Sequence, residues 1–115
     1  MLILPYPPTV NLYWRMVVIG KAPRMLISAE GREYKTNVGE LCVRQGLRPL
    51  DGPVRLTLDF YRPRKAGDLD NVLKAPLDAL KGFAYHDDKQ IVELHARRHD
   101  DKARPRVEVL IEQAR

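Results

Sequence analysis

Three short stretches hold the residue types from which phosphodiester chemistry is built: Asp68-Leu69-Asp70, Lys74 and Asp87-Asp88. Carboxylates arriving from two separate loops are the usual donors for a hard cation such as Mg²⁺, with water and substrate phosphate completing the octahedron. A cation held there turns water into a nucleophile and neutralises phosphate oxygens. A lysine four residues beyond the second aspartate is placed to touch the scissile phosphate or to offset charge as the bond breaks. Each feature also has a plain structural reading. An aspartate before a helix caps free N–H groups. Capping explains one member of the Asp68/Asp70 pair better than both, because close carboxylates repel unless a cation or N–H groups offset them. Asp70 and Lys74 at i, i+4 make an ordinary helical ion pair, and aspartates such as Asp87 and Asp88 are common in turns. His86 is either a ligand or general base or an exposed turn histidine. His95 and His99 alternate with nothing metal-like.

The rest of the chain carries charge of the opposite sign. Its 115 residues include 20 Lys and Arg against 15 Asp and Glu, a net +5 that suits a polyanionic partner. Residues 1–50 hold seven bases and three acids, and residues 51–115 hold thirteen and twelve. The clustered aspartates therefore form an acidic spot on a basic body, which draws phosphates to the body and cations to the spot. Arg62, Arg64 and Lys65 lead directly into the aspartate pair and are candidates for phosphate contact. Arg97, Arg98, Lys102, Arg104 and Arg106 form a second basic set, and either set reads equally as a solvated loop. Tyr13-Trp14-Arg15 mixes aromatics with a base, a pattern that stacks on an unpaired nucleobase or packs a ring in the core.

The length suits one domain spanning residues 1–115. A hydrophobic fraction of 44% with 30% charged residues describes a folded globule, not a disordered chain. No apolar run is long enough to cross a bilayer. The N-terminal Met1-Leu2-Ile3-Leu4 meets Pro5 without a basic lead, so no signal peptide and a cytoplasmic location are expected. The single Cys42 makes no internal disulfide and falls on an apolar helix face, as a core thiol does.

These groups must be positioned by alternating short elements. Leu2–Leu4 reads as an edge strand stopped by Pro5. Tyr13–Ile19 and Arg24–Ile27 read as a hairpin around residues 20–23. Ser28 caps a helix whose apolar face is Tyr34, Val38, Leu41 and Cys42 and whose stop is Gly46. Val54 to Tyr61 alternates as a half-buried strand. A basic loop, Arg62 to Gly67, then leads to a helix from Asn71 to Leu80, which Pro76 kinks or confines to a first turn. Ile91–Ala96 and Val107–Ile111 read as two last strands joined by a charged hairpin. The order β, β, β, α, β, α, β, β predicts an α+β fold, a mixed sheet with two main helices.

The block Asp68-Leu69-Asp70-Asn71-Val72-Leu73-Lys74, then Leu77-Asp78-Ala79-Leu80, then Asp87-Asp88-Lys89-Gln90-Ile91-Val92, resembles the RusA-type Holliday-junction resolvases, often phage- or prophage-encoded. The pattern, a DxDN-x-x-K block followed by DD-x-Q-[IV]-V, is specific. Leu4-Pro5-Tyr6-Pro7-Pro8 with Asn11, Tyr13 and Arg15, and Ser28-Ala29-Glu30-Gly31-Arg32, resemble the family's N-terminal half, so the likeness covers nearly the whole chain. The resemblance implies that Asp68, Asp70 and Asp88 bind the metal and that Lys74 is the essential cation. It also implies that Asp87 supports the third ligand and that Asn71 fixes the turn. Arg15, Arg62, Arg64 and Lys65 become the candidate DNA contacts. Ala66-Gly67 stands where relatives often carry a basic residue or proline, and Pro76 replaces a helix former. The family implies a homodimeric Mg²⁺-dependent endonuclease that nicks four-way DNA junctions symmetrically, in recombination and repair. Two other readings share these residues: a non-catalytic nucleic-acid-binding module with the aspartates as caps, and a nuclease acting on flaps or other branched DNA.

Overall fold

The computed structural model describes residues 1–65 and 67–114. The described residues form two β-sheets, three α-helices and two short 3₁₀ turns. The larger sheet grows around Val54–Arg62 (β4), after Leu2–Leu4 (β1), Trp14–Ile19 (β2) and Ala22–Ile27 (β3). Alternation decides its faces: Val54, Leu56, Leu58 and Phe60 are fully buried, while Arg55, Thr57, Asp59 and Tyr61 point to the other side. Ile91–Asp100 (β5) and Arg106–Gln113 (β6) flank β4, giving the order β1-β6-β4-β5. Against the buried face lie Ala29–Arg44 (α2) and Lys74–Leu80 (α3), which bring Tyr34, Val38, Cys42, Ala75, Ala79 and Leu80 into one core. The α+β expectation with a mixed sheet and two main helices holds. A four-residue helix, Val10–Tyr13 (α1), precedes β2, so the hairpin strand begins at Trp14 rather than Tyr13.

The expected hairpin between the last two strands does not form. β5 runs parallel to β4 on one side, and β6 runs antiparallel to β4 on the other. Two features of the chain force this. A parallel neighbour needs a long crossover, and the segment carrying α3 supplies it between β4 and β5. Of the two strands, β6 has the apolar alternation of a central strand, Val107 and Val109 being buried between β1 and β4. β5 carries Glu93, Arg97, Arg98 and Asp100 and stays at the edge, where charge discourages stray pairing. The connection therefore crosses the end of β4, where the Asp101 N–H donates to the Arg62 carbonyl (2.9 Å).

The helix boundaries follow their local signals. The Ser28 hydroxyl accepts from the Gly31 N–H (3.0 Å) at the start of α2, and Gly46, with φ of 68°, takes the left-handed turn after its end. Gly31 also has no room for a side chain: a Cβ there would lie 2.9 Å from the Tyr13 carbonyl oxygen. The first turn of α2 thus seats directly on the junction of α1 and β2.

The open face of the sheet is a ladder of ion pairs centred on Asp59, which accepts from Arg97 (2.7 and 3.0 Å) and pairs with His99 (2.8 Å). Arg97, and then His99, hold the Asp59 carboxyl below the usual carboxylate range against the opposing effect of partial burial. A pKa lower in the folded than in the unfolded chain adds stability above about pH 4, and that stability disappears as pH falls through the folded value. Asp59→Asn is expected to flatten the acid limb of stability, read as urea midpoints between about pH 2 and pH 7. An unchanged acid limb would show that the Asp59 ion pairs contribute nothing to stability.

Candidate active site

The basic loop after β4 and the segment before α3 put the first two aspartates in one tight turn. Asp68 stands in extended conformation ahead of a 3₁₀ turn, Leu69–Val72, that contains Asp70. The expected continuous helix from Asn71 to Leu80 is thereby split, with Leu73 between the 3₁₀ turn and α3. Pro76 falls on the third residue of α3, where an N–H has no helical partner to lose, so it starts the helix without kinking it.

Neither structural reading of the aspartate pair is realised. Asp68 occupies a capping position, yet its side chain accepts no capping hydrogen bond. The turn is closed by backbone instead, the Asn71 N–H donating to the Asp68 carbonyl (3.2 Å). The Asn71 side chain makes no hydrogen bond among the described residues, so what fixes the turn is its backbone. Asp70 and Lys74, on either side of the break at Leu73, form no ion pair among the described residues. Both carboxylates are solvent-exposed and unpaired there.

Lys74 has a different neighbour. Its ammonium lies 5.4 Å from the centroid of the Trp14 ring, a cation–π contact. Trp14 is in turn set edge-on to Tyr13, with centroids 5.3 Å apart. Tyr13 is fully buried and donates its hydroxyl to Asp78 of α3, which also pairs with Lys35 of α2 (3.6 Å). Burial, reinforced by Asp78, pushes the Tyr13 phenol far above its ordinary range, so it remains a donor. Of the two aromatics with base-stacking potential, one is core and the other holds Lys74.

The second acidic turn is built more rigidly. Asp87 caps a 3₁₀ turn, Asp88–Gln90, by accepting from the Lys89 N–H (3.0 Å), and Gln90 closes the reciprocal half of the capping box. That backbone bond, with Asp88 and nearby lysines, lowers the Asp87 pKa. The Gln90 amide does more than cap. Its oxygen accepts from the N–H groups of His86 (2.7 Å) and Asp87 (2.9 Å), and its nitrogen donates to the carbonyls of Leu50 (2.7 Å) and Gly52 (2.8 Å). Asp88 is left exposed on a turn pinned from both sides. Sequence reasoning missed this role for Gln90; the signal was an Asp followed three residues later by Gln. Gln90→Ala is expected to cost about 1–3 kcal/mol, a fall of several degrees in Tm, because it strands four backbone groups. Thermal unfolding checks this, and an unchanged Tm would show that water replaces the amide freely. His86 is exposed on the turn before Asp87 and pairs with Asp51 (2.9 Å).

The candidate phosphate contacts separate into two kinds. Arg62 is engaged with Asp100 (2.8 Å) and its side chain is only 14% exposed, so it serves the sheet end. Arg15, Arg64 and Lys65 are exposed. A groove of about 250 Å³ is lined by Tyr6, Thr9, Pro63, Arg64, Gly67, Asp68 and Val72, and so brings a guanidinium and a candidate metal-binding carboxylate to one wall. Ala66, within the same loop, lies outside the described residues.

Among the described residues no three Asp, Glu, His or Cys side chains converge as a metal cage. The turns instead present the exposed carboxylates of Asp68, Asp70 and Asp88, all hard oxygen donors. Mg²⁺ commonly takes one or two carboxylates and draws its remaining ligands from water and substrate phosphate, so the Asp68/Asp70 turn fits such an ion by donor type, while Asp88 stands on a separate turn. No helix among the described residues is long and apolar enough to cross a membrane.

Comparison with known proteins bears on the same residues. The family model for endodeoxyribonuclease RusA matches residues 5–112. The crossover junction endodeoxyribonuclease RusA of Escherichia coli strain K12 is 38% identical over 93 residues, covering 78% of this chain and 74% of that protein. The protein of the same name from Enterobacteria phage 82 is 39% identical over the same shares. That of Enterobacteria phage HK97 is 36% identical over 93 residues, 76% of this chain and 72% of the relative. The match takes in both acidic turns, Lys74 and the groove beside them, and on it the chain belongs to the RusA family of endodeoxyribonucleases.

Proposed function

We propose that this chain is a structure-specific endonuclease that resolves four-way (Holliday) junctions in DNA recombination and repair. On this reading it acts in the cytoplasm as a single-domain homodimer. The observation that carries the reading is the state of Asp68 and Asp70: two exposed carboxylates on one turn, used neither as caps nor in ion pairs, with Arg64 sharing a groove with the first. A non-catalytic module with aspartate caps has no such use for them.

Asp68, Asp70 and Asp88 would hold Mg²⁺, which when bound supplies an activated water and neutralises phosphate oxygens. The remaining work belongs to the chain's own side chains. Arg64 and Lys65 draw the phosphate backbone to the mouth of the groove, and Arg15 extends that contact along β2. Lys74, steadied over the Trp14 ring, offsets charge that develops on the phosphoryl oxygens or the leaving oxygen. Gln90 and Asp87 hold the turn that presents Asp88. A two-fold dimer carries two such sites to a junction of approximate two-fold symmetry, so cuts fall in pairs on strands of like polarity and leave ends that a ligase can seal.

The test offers a four-way junction, a flap and a linear duplex, each with Mg²⁺ or with EDTA. Cutting of the junction alone, and only with Mg²⁺, is the expected result. Equal cutting of the flap would replace junction resolution with a broader branched-DNA nuclease, and binding without cutting in any metal would return the chain to a binding module.

A further inference from the structure

Lys74 opens α3, and Asp78 follows four positions later on the same helix. That spacing sets two side chains one above the other on a helix face, where opposite charges attract. Asp78 is therefore a natural partner for Lys74, yet the two form no ion pair among the described residues. Asp78 is engaged elsewhere: the Tyr13 hydroxyl donates to its Oδ2, and Nζ of Lys35, from α2, lies 3.6 Å from the same oxygen. Lys74 lies instead over the ring of Trp14, the residue next to Tyr13 and edge-on to it. The junction of α1 and β2 thus meets α3 with one aromatic at each charge, Tyr13 at Asp78 and Trp14 at Lys74. The start of α2 holds that junction in place. The Tyr13 carbonyl accepts from the Ser28 N–H (2.8 Å), and its ring is fully buried.

We propose that Tyr13 and Lys35 are positioning residues that keep Asp78 away from Lys74, so that the lysine's charge stays free for the phosphate. The proposal rests on the role given to Lys74 above and deepens it. An ammonium paired with a carboxylate presents little net charge to a phosphoryl oxygen and must leave its partner to reach one. Over an uncharged ring the same ammonium keeps its full charge while its position is still restrained. The Asp78 side chain is only 20% exposed, so its charge needs partners within the fold. Lys35 offsets that charge from the side of α2, and the Tyr13 hydroxyl fills an acceptor site without adding a charge of its own. The plainer role for this cluster is a tie between α2 and α3. The two roles differ in one consequence. If the cluster is only a tie, removing the Asp78 charge after Tyr13 and Lys35 are gone brings no gain in rate. If Asp78 competes for Lys74, removing its charge restores the rate.

The test is a mutant cycle read as single-turnover cleavage of a four-way junction in Mg²⁺, at saturating protein so that binding does not enter. Its members are the wild-type chain, Tyr13→Phe/Lys35→Met, Asp78→Asn and the combination of all three. With Asp78 in place, the Tyr13→Phe/Lys35→Met pair should lower the rate about 3-fold or more. With Asp78→Asn present, the same pair should lower it by no more than about 1.5-fold. An equal or larger cost in the presence of Asp78→Asn would overturn the proposal and leave the cluster as a tie between helices. An unchanged rate in Tyr13→Phe/Lys35→Met would overturn it as well. Thermal unfolding establishes that each chain is folded. Should the buried Tyr13→Phe prevent folding, Lys35→Met alone, at a half-exposed side chain, runs through the same cycle with the same criterion. Lys74→Met locates a failure. If it cuts at the wild-type rate, the role given to Lys74 has failed. If it is slow while the cycle is additive, only the positioning by Tyr13 and Lys35 has failed.

Discussion

Asp70→Asn should reduce junction cleavage by about 10³-fold or more while leaving junction binding unchanged or tighter. The asymmetry follows from where the charge sits. Asp70 is exposed on its 3₁₀ turn, and neither a cap nor an ion pair depends on it, so asparagine disturbs little of the fold. What it removes is one hard donor for the cation and one negative charge beside the phosphate backbone. Losing the donor removes the electrostatic stabilisation that the reaction needs, and losing the charge favours the polyanion. Binding is read by gel shift in EDTA and cleavage by single-turnover rates in Mg²⁺. A normal cutting rate would exclude Asp70 from the site, and lost binding would mean that the turn had collapsed.

Lys74→Met should lose about 10²–10³-fold in cleavage rate with only a modest loss of binding. The ammonium is one cation among many in a chain of net +5, so its share of phosphate attraction is small. Its share of the chemistry is large if it meets charge that appears only as the bond breaks. The structural alternative makes a different forecast. With Asp70 not its partner, Lys74's contact within the fold is the Trp14 ring, worth about 0.5–1 kcal/mol at a partly exposed site. Were that its whole role, the variant would show a slightly lower Tm and an unchanged rate. Rate and Tm measured on one preparation separate the two.

Much of the fold was legible wherever a single physical signal acted alone. The alternation of Val54 to Phe60 predicted the buried face of β4, and Ser28 and Gly46 marked the ends of α2. The arrangement of the last two strands was not legible, because local pattern says nothing about which edge of β4 a strand joins. That choice rested on the crossover through α3 and on the stronger apolar alternation of β6. The helix expected from Asn71 was split for a similar reason. The i, i+4 spacing of Asp70 and Lys74 suits one α-helix face, but Asp70 lies in the 3₁₀ turn and Lys74 opens α3, and the two form no ion pair among the described residues. At the candidate site, residue types raised Asp68, Asp70, Lys74 and the Asp87-Asp88 pair as candidates beside their structural readings, and the family resemblance singled out Asp88. The supports were harder to see. Trp14 reaches Lys74 across sixty positions of sequence, and Gln90 clamps residues 50–52 to the second acidic turn. Contacts so distant in sequence leave no periodicity to read. Arg62 belongs to a basic run in the sequence, and its pairing with Asp100 arises only once β5 lies beside β4.

On the proposed function, this chain cuts four-way junctions symmetrically through its acidic turns. The most direct measurement labels each strand of a four-way junction in turn and maps the nicks at nucleotide resolution, with Mg²⁺, with EDTA and with the Asp70→Asn chain. Paired nicks at symmetric positions on two opposed strands, absent in EDTA and absent in the variant, are the expected result. Unpaired nicks scattered over all four strands, or cuts that persist in Asp70→Asn, would contradict it.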